Sequence, residues 1–508
     1  MAGPPQQGHG LPPLAGGQLI LIAFALALGT FMMVLDTTIA NVSLTTIAGN
    51  LGVSSDSSTW IVTAFAVSNG IAVPLTGWLM QRFGVVRVFA TAVALFTVAS
   101  FLCGIAWNLP SLIAFRVLQG AVAGPIMPGS QALLIASFPA DRRSTALGIW
   151  SMTTLVAPIM GPILGGYISD NYHWSWIFLI NVPFGIFVSL TCWNGLKSRE
   201  TPTRALPIDK VGLMLLVVWV GSMQIMLDLG KNDDWFSSTR IVALACLAIV
   251  GCIAWIIWEL TDANPTVDLT LFGNRNFLLG NVAFCLGYAV FFANILILPL
   301  WLQAQLGYTA TWAGLVAAPS GVLAVVLTPF VARLSGKIDA RILATIAFTA
   351  FGVSYWMRSG YTTQAGPWEL MLPLIVQGLG MSTFFLSMVT IALDRIPPER
   401  LPSATGISNF TRIVAGSFAA SIITTAWDRR EALHQSRLAE AIGTGVPYQM
   451  ATDALGRLGM TATQAAAAVT RQMVGQAYLL ASTDLFRLSA WLCMGLIVVV
   501  WLCRRPGG

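Results

Sequence analysis

Residues 18–42 read QLILIAFALALGTFMMVLDTTIANV, an apolar run in which Asp36 is the single ionisable side chain. A helix that crosses the hydrocarbon core of a bilayer needs about 20 mainly apolar residues, because no water is present there to bond its backbone. The preceding residues 1–17 are rich in Pro and Gly and lack the basic residues of a cleaved signal peptide. The stretch therefore predicts a retained first membrane helix behind a disordered cytoplasmic tail, 1–17.

The same composition extends over the whole chain of 508 residues. Hydrophobic residues make up 56% of it and charged residues 9%, whereas a soluble domain has about 25% charged residues. Apolar runs between Gly, Pro and charged breaks predict fourteen membrane helices. Their predicted ranges are 18–42, 57–80, 88–107, 111–136, 146–169, 176–194, 211–229, 239–258, 277–302, 312–334, 340–357, 369–392, 404–426 and 484–503.

Two similar turns indicate an internal repeat. The glycine-bearing basic turn Gly77–Arg87 follows the second predicted helix, and Arg333–Arg341 follows the tenth. Many secondary transporters are built from repeated bundles around a site near the middle of the membrane. We therefore expect an all-α polytopic membrane protein with six helices in 18–194, two linker helices in 195–275 and six more in 276–503.

The Lys and Arg residues predict the orientation. If both termini are cytoplasmic, the inner loops and helix ends hold most of the 27 basic residues, while the short outer loops hold Lys231, Arg240 and Arg358. Short cytoplasmic loops retain basic residues, so both termini, including the tail 504–508, are predicted to lie in the cytoplasm. The long segment 428–483 is then predicted to lie on the outer side of the membrane.

The sequence lacks the residue patterns that several classes of function require. The seven cysteines are scattered singly, and His9, His173 and His434 lie in predicted tail or loop positions. This pattern favours neither a disulfide framework nor a metal site, and no GxxxxGK[ST] phosphate loop occurs. We expect no enzyme activity, no cofactor and no nucleic-acid partner, so a proton gradient is the expected energy source.

Two charges within predicted membrane helices are the first candidates for function. Asp36 and Arg116 each lie about five or six residues from the outer end of their helix, which places both roughly 9 Å deep. Ionisable groups inside the membrane are costly and often mark ion pathways. A proton-coupling pair is one interpretation, since a conformational change would alter the proton affinity of Asp36. A fixed ion pair that orders the helices is the alternative.

Small residues and prolines accompany this pair in the predicted fourth and fifth helices. Glycines four apart let two helices approach closely, and prolines remove backbone donors and favour bending. Ordinary membrane packing would explain an isolated cluster of this kind, but a position beside a buried charge pair favours a moving part. The proposed conformational motif consists of Gly120, Gly124, Pro158, Gly161, Pro162, Gly165 and Gly166.

Four of these stretches resemble motifs of the major facilitator superfamily, specifically of its fourteen-span drug:proton antiporters. Leu35–Val42 resembles the motif of helix 1, Gly77–Arg87 that of the loop between helices 2 and 3, and Arg116–Gly120 that of helix 4. Gly161–Gly166 resembles the antiporter motif of helix 5, which is associated with exporters. The stretch Gly165–Pro183 is similar to the EmrB-like branch of the family.

The resemblance has two departures. Gln81 and Thr45 stand where the wider family often has an acid and a proline. A gating salt bridge from the turn that contains Gln81 is therefore not expected, whereas the pair of Asp36 and Arg116 is unaffected.

The family plan places the first and fourth helices of each bundle around the cavity. Seven residues of the predicted helices 4, 9, 12 and 13 are candidates for substrate binding: Gln119, Asn281, Tyr288, Phe291, Gln377, Asn409 and Arg412. Hydrogen bonds between helices are the alternative role for each Asn or Gln. Arg412 has no acid at the same depth in its own bundle, so either backbone carbonyls satisfy it or it favours anionic substrates.

The resemblance implies a proton-coupled antiporter that exports hydrophobic and amphipathic drugs across the bacterial inner membrane. It further implies a tripartite pump with a periplasmic adaptor and an outer-membrane channel, and the segment 428–483 is suitably placed to meet the adaptor. A proton-coupled uptake symporter of the same fold is the alternative, but such carriers usually lack the antiporter motif.

Overall fold

The structure is a computed structural model that describes residues 14, 16–53, 55–139, 142–203, 207–262, 265–335, 337–443 and 445–505. Most of the predicted N-terminal tail, and residues 506–508 of the C-terminal tail, lie outside the described residues. Within the described ranges the protein contains helices and turns but no β-strand, which confirms the predicted all-α class.

The described residues of 16–203 form eleven α-helices. They are α1 (Gly16–Val42), α2 (Leu44–Leu51), α3 (Ser55–Ser58), α4 (Trp60–Ala72), α5 (Thr76–Phe83), α6 (Val85–Gly104), α7 (Leu109–Ala123), α8 (Ile126–Ser137), α9 (Arg143–Asn171), α10 (Trp176–Leu179) and α11 (Asn181–Leu196).

Two helices and then seven more complete the chain. They are α12 (Lys210–Leu229), α13 (Thr239–Thr261), α14 (Arg275–Leu306), α15 (Ala310–Ser335), α16 (Ala340–Arg358), α17 (Pro367–Ala392), α18 (Leu401–Ile442), α19 (Val446–Arg457) and α20 (Ala462–Trp501). Short 3₁₀ helices occur at Lys197–Arg199, Trp235–Ser237, Leu269–Gly273 and Pro398–Arg400.

Among the described residues, eleven helices are long and apolar enough to cross a membrane, and two bent pairs reach the same length together. The pairs are Trp60–Ala72 with Thr76–Phe83, bent by 56°, and Thr145–Pro158 with Ile163–Ser169, bent by 41°. The remaining predicted span, 404–426, lies in α18, whose polar side chains make it less apolar. Thirteen of the fourteen predicted spans thus meet these criteria when each bent pair counts as one.

The helices of the first half and those of the last third pack against each other along two seams. In one seam α9 contacts α15, where Gly148 leaves room for Thr328 and Ala332. In the other, α12 packs between α4 and α18. Its Leu227 carbonyl accepts a hydrogen bond of 2.8 Å from Ser421. The predicted linker helix α12 is therefore part of the central assembly.

One end of the assembly is closed by contacts between α5 and the start of α18. Gly77 lies so close to Ser403 that a Cβ at position 77 would meet the Ser403 Cα at 2.8 Å. The Gln81 side-chain amide donates a hydrogen bond of 2.9 Å to the Ser403 hydroxyl. A neutral hydrogen bond thus joins the two halves at the residue where the wider family often has an acid.

The two repeated turns end in the same way, with a carboxylate at the start of the next helix. Asp339 caps α16 and binds Arg341 at 2.8 Å. These hydrogen bonds from Arg341 hold the pKa of Asp339 below its ordinary value. In the first turn, Glu200 accepts from the backbone amides of Val86 and Arg87 at 3.0 and 2.7 Å. Glu200 lies in a distant part of the chain, so the sequence of the first turn does not reveal this contact.

The long helices α18 and α20 continue past their predicted membrane spans and pair with each other. Trp427 donates a hydrogen bond of 2.8 Å to Ser482, and Arg430 binds Asp484 at 2.9 Å. Within the segment 428–483, residues 429–440 lie in α18 and residues 462–480 lie in α20.

The prediction that Arg358 lies in an outer loop is wrong. Arg358 is the last residue of α16, and only 1% of its surface is exposed. The apolar run ends before it, but tertiary packing against neighbouring helices covers the side chain.

Candidate functional site

The carboxylate of Asp36 lies at the centre of a fully buried polar network. Arg116 donates to one carboxylate oxygen at 2.6 Å. Gln119 and Asn181 donate to the other oxygen at 3.0 and 2.8 Å. All four side chains are at most 1% exposed. Because an ionised carboxylate only accepts hydrogen bonds, these three N–H donors match the ionised form.

Arg116 is held in place by groups other than the carboxylate. It also donates from Nη1 to Gln119 at 2.6 Å and from Nε to the Ile61 carbonyl at 3.0 Å. The ring of Phe65 lies 4.2 Å from the guanidinium carbon, which is a favourable cation–π geometry. Its Nη2 atom has no hydrogen-bond partner among the described residues. The structure thus brings Asp36 and Arg116 into direct contact and adds Gln119 to the same network.

Small residues allow the helices that carry this network to approach. In α7, a Cβ on Gly120 would collide with the Phe65 carbonyl, and one on Gly124 would meet Ala72 of α4 at 2.6 Å. The close approach of α7 to α4 lets Arg116 reach the Ile61 carbonyl. Both glycines therefore act in the packing of the pair.

Two glycines of α9, Gly161 and Gly165, allow its packing against α1. Gly161 faces Thr38, so a Cβ there would collide, and Gly165 faces Ile39 at 3.0 Å. Gly166 has no atom within 4 Å of a Cβ position. The 41° bend of α9 falls between Pro158 and Ile163. The side chain of Pro162 lies outside the described part of the structure.

A cavity of about 530 Å³ lies between the two halves. Its wall combines α1, α4, α9 and α12 with α14 and α18, and the apolar side chains Met33, Val62, Phe292 and Ile413 contribute to it. It extends toward the end of the assembly that contains Asn41 and Lys231, which is opposite to the contact between Gln81 and Ser403. Arg116 lines the cavity, whereas Asp36 lies behind it.

Two of the predicted substrate-binding residues, Tyr288 and Arg412, line this cavity. The guanidinium carbon of Arg412 lies 4.7 Å from the ring centre of Tyr288, and Nη2 donates to Asn409 at 3.0 Å. Met127 contacts the same nitrogen at 2.7 Å. The Nε atom has no partner, and Arg412 forms no ion pair with a described acid. Side chains, rather than backbone carbonyls, surround this cation.

The other five predicted substrate-binding residues do not lie in the described wall of the cavity. Gln119 belongs to the Asp36 network. Asn281 donates to the Phe277 carbonyl at 2.8 Å, and Asn409 donates to Gln131 at 3.0 Å. Phe291 stacks on Phe351 at 5.7 Å within an aromatic core. The face that each residue presents depends on the rotation of its helix, which the family plan alone does not fix.

Gln377 pairs with a buried arginine and does not line the cavity. It accepts a hydrogen bond from Arg358, the second buried arginine of the C-terminal half. Arg358 also lies 5.3 Å from the ring centre of Tyr355, and it forms no ion pair within the described ranges. This pair lies outside the cavity and joins α16 to α17.

The sequence reasoning missed two polar residues that the structure places at the site. Asn181, at the start of α11, lies within the family-like stretch Gly165–Pro183 and donates to Asp36. Asp228 lies near the end of α12, where it lines the cavity and accepts a long hydrogen bond of 3.4 Å from Gln224. An acid inside the apolar run of a predicted membrane helix was the available signal for Asp228.

The arrangement therefore provides two chemical elements. A sealed carboxylate is held by a guanidinium whose other face reaches the cavity, so rearrangement of Arg116 would expose Asp36 to water. The cavity itself is mainly apolar and carries Arg412 and Asp228 on its wall. Such a surface suits amphipathic molecules, because apolar burial accepts many shapes while a few polar groups fix orientation.

Comparison with known proteins gives consistent results. The sequence model of the Major Facilitator Superfamily matches residues 26–420. The "Multidrug export protein EmrB" of Haemophilus influenzae is 47% identical over 98% of this chain and 98% of that protein. The "Fatty acid resistance protein FarB" of Neisseria gonorrhoeae is 44% identical over 97% of this chain and 98% of that protein.

A solved structure of similar fold is that of a bacterial homologue of the human lysosomal transporter Spinster, in an inward-facing and occupied conformation. The TM-score is 0.53, the identity is 15%, and the match covers 96% of this chain and 97% of the other. At this identity the likeness shows the fold alone.

The buried pair generates a prediction about stability. Arg116→Ala should lower the free energy of unfolding by about 3–5 kcal/mol, because it leaves a buried carboxylate without its cation. Adding Asp36→Asn should recover part of that loss, since the buried charge is then gone. Thermal unfolding of the purified protein in detergent measures both effects, with the exposed Arg437→Ala as control. A double variant whose loss equals the sum of the single losses would contradict the coupling.

Proposed function

The chain belongs to the major facilitator superfamily, as its motifs predict, and on this basis we propose a function. We propose that the protein is a proton-coupled antiporter that exports hydrophobic and amphipathic compounds. The observation that supports this most directly is the buried network in which Arg116 separates the Asp36 carboxylate from the cavity. The name of the EmrB relative, a multidrug export protein, supports export as the direction. An uptake symporter remains the alternative to be tested.

In this proposal the pair of Asp36 and Arg116 couples protons to movement. The conformation described here is closed at Gln81 and open toward Asn41, and the carboxylate is paired. When Arg116 moves aside, water from the open side reaches Asp36 and a proton binds. Protonation removes the attraction for Arg116, which favours the rocking of the two halves. Release of the proton on the other side restores the pair and resets the carrier.

The cavity wall supports a substrate class of amphipathic compounds. Arg412 has an unpaired Nε atom, which suits an anionic head group, and the relative FarB is named for fatty acid resistance. Asp228 is accessible from the cavity and suits a cationic group. The apolar side chains between these residues bury the remainder of the molecule. Arg412 and Asp228 would then bind substrates of opposite charge.

We further propose the bacterial inner membrane as the location, with both termini in the cytoplasm. The 6 + 2 + 6 division of the chain and the distribution of basic residues support this orientation. The cavity then opens to the periplasm, and the paired extension of α18 and α20 lies on the same side. A periplasmic adaptor, joined to an outer-membrane channel, would contact this extension. The tripartite arrangement is supported by the resemblance to the EmrB-like branch.

Substitution of the coupling carboxylate tests the mechanism. Asp36→Asn should reduce efflux driven by a pH gradient to the level seen with protein-free liposomes, because the amide cannot exchange a proton. The protein should still elute as a single folded species in size-exclusion chromatography. Asp453→Asn, an exposed acid in α19, is the matched control and should transport normally. Efflux by Asp36→Asn at half the normal rate or more would falsify the coupling role, while proton-driven accumulation by the native protein would favour the symporter.

Paired substitutions in the cavity test the substrate class. Arg412→Gln should raise the KM for a fatty-acid carboxylate roughly tenfold, since a hydrogen bond to a charged group is lost. It should leave the KM for a cationic dye nearly unchanged. Asp228→Asn should have the opposite preference. Efflux kinetics with both compounds provide the comparison. Equal effects of each variant on both substrates would mean that these charges do not select substrates.

Site-directed labelling tests the orientation. A cysteine at position 445, introduced as Gly445→Cys between α18 and α19, should react with a membrane-impermeant maleimide from the periplasmic side. Lys197→Cys, at the end of α11, should react only after the membrane is made permeable. Labelling of position 445 from the cytoplasmic side alone would overturn the proposed topology.

A further inference from the structure

A groove of about 1000 Å³ lies on the outer surface of the protein, remote from the central cavity. Its floor and walls come from α1, from the C-terminal end of α8, from the first two turns of α9, and from the C-terminal end of α15 with Lys337 just beyond it. It lies at the N-terminal end of α1, which is opposite to the mouth of the cavity. The groove therefore crosses the seam between the two halves of the molecule, at the closed end.

The body of the groove is apolar and faces the membrane. Its α1 wall runs from Leu19 to Ala27, which corresponds to about 12 Å along a helix. Ile20 and Phe24 on this wall are 72% and 57% exposed. Phe138 and Ile149 form the facing surface. An elongated apolar chain that entered from the bilayer would fit against these side chains.

The rim of the groove is strongly basic. Arg142, at the start of α9, Arg333, in the last turn of α15, and Lys337, just beyond it, all line it, and all three are exposed. No Asp or Glu is among the described residues of the lining. Arg333 and Lys337 form no ion pair with any described residue. Exposed cations that line one groove without an acid among its described residues produce a positive potential there, which attracts an anion.

We propose that this groove is a binding site for an anionic phospholipid. The lipid phosphate contacts Arg333 and Lys337 from one half of the molecule and Arg142 from the other, while an acyl chain lies along α1. Basic pockets between membrane helices at the cytoplasmic surface are suited to such head groups. The basic rim suits a phosphate, and the apolar wall suits a hydrocarbon chain. A soluble anion would satisfy only the rim.

The position of the groove gives the lipid a structural role. Near it, α9 and α15 are in direct contact through Gly148 and Ala332. A bound phosphate that bridges cations from both helices would strengthen this seam. Occupancy thus favours the conformation in which this end of the two halves is closed.

Lipid titration of the full-length protein tests the proposal. The protein is purified in a non-ionic detergent, and bound lipid is counted by native mass spectrometry. The three ligands are phosphatidylglycerol, phosphatidylethanolamine with the same acyl chains, and inorganic phosphate. The native protein should bind phosphatidylglycerol in preference to phosphatidylethanolamine, and inorganic phosphate at the same concentration should not compete.

Two charge-matched variants locate the site. The double variant Arg333→Gln/Lys337→Gln should bind phosphatidylglycerol about 30-fold more weakly, or about fivefold for each cation removed. The control Arg437→Gln/Arg457→Gln removes the same charge from exposed positions in α18 and α19 and should bind normally. Native affinity in the groove variant, or an equal loss in the control, would overturn the site. Competition by inorganic phosphate would identify a free-anion site instead of a lipid site.

Discussion

The contact between Asp36 and Arg116 is the constraint on which the arrangement of the first six spans depends. Removing two charges from water costs several kcal/mol per ion, and the attraction offsets this cost only if the remaining donors and acceptors are also satisfied. Here the partners come from α1, α4, α7 and α11. Close approach of α7 to α4 is required, and Gly120 occupies the position where a side chain would prevent it. Gly161 has the same role in the packing of α9 against α1.

The two halves share a packing plan but differ in their charges. Gln377 and Gly378 of α17 correspond to Gln119 and Gly120 of α7. Each glycine packs against the second span of its own bundle: Gly120 against α4, and Gly378 against Ser320 of α15. In the first half the glutamine belongs to an ion pair with an acid. In the second half the glutamine meets Arg358, which has no described acid. The proposed proton exchange therefore involves the first half alone, while Arg412 of the second half faces the cavity.

The helix α12 has a larger part than its position between the two repeats suggests. It packs on α4 through Val220, which lies 3.2 Å from the Cβ position of Gly70, and its C-terminal end supplies Asp228 to the cavity wall. Opposite to it, α9 and α15 form the other seam, whose outer surface carries the basic groove. The cavity thus opens at one end of the molecule, and the groove lies at the other end.

The sequence by itself determined the class of the protein, nearly all of its spans, and the two charges at the centre of the site. These features depend on local composition and on the fixed rise of a helix, so the depth of Asp36 and Arg116 follows from counting residues. Tertiary structure alone decided which polar residues face the cavity. Asn281 and Gln377 turn away from it, Asp228 enters it from the linker, and Asn181 completes the network around Asp36. Rotation of a helix about its axis is set by the packing of all its neighbours, and no local pattern in a chain this apolar specifies it.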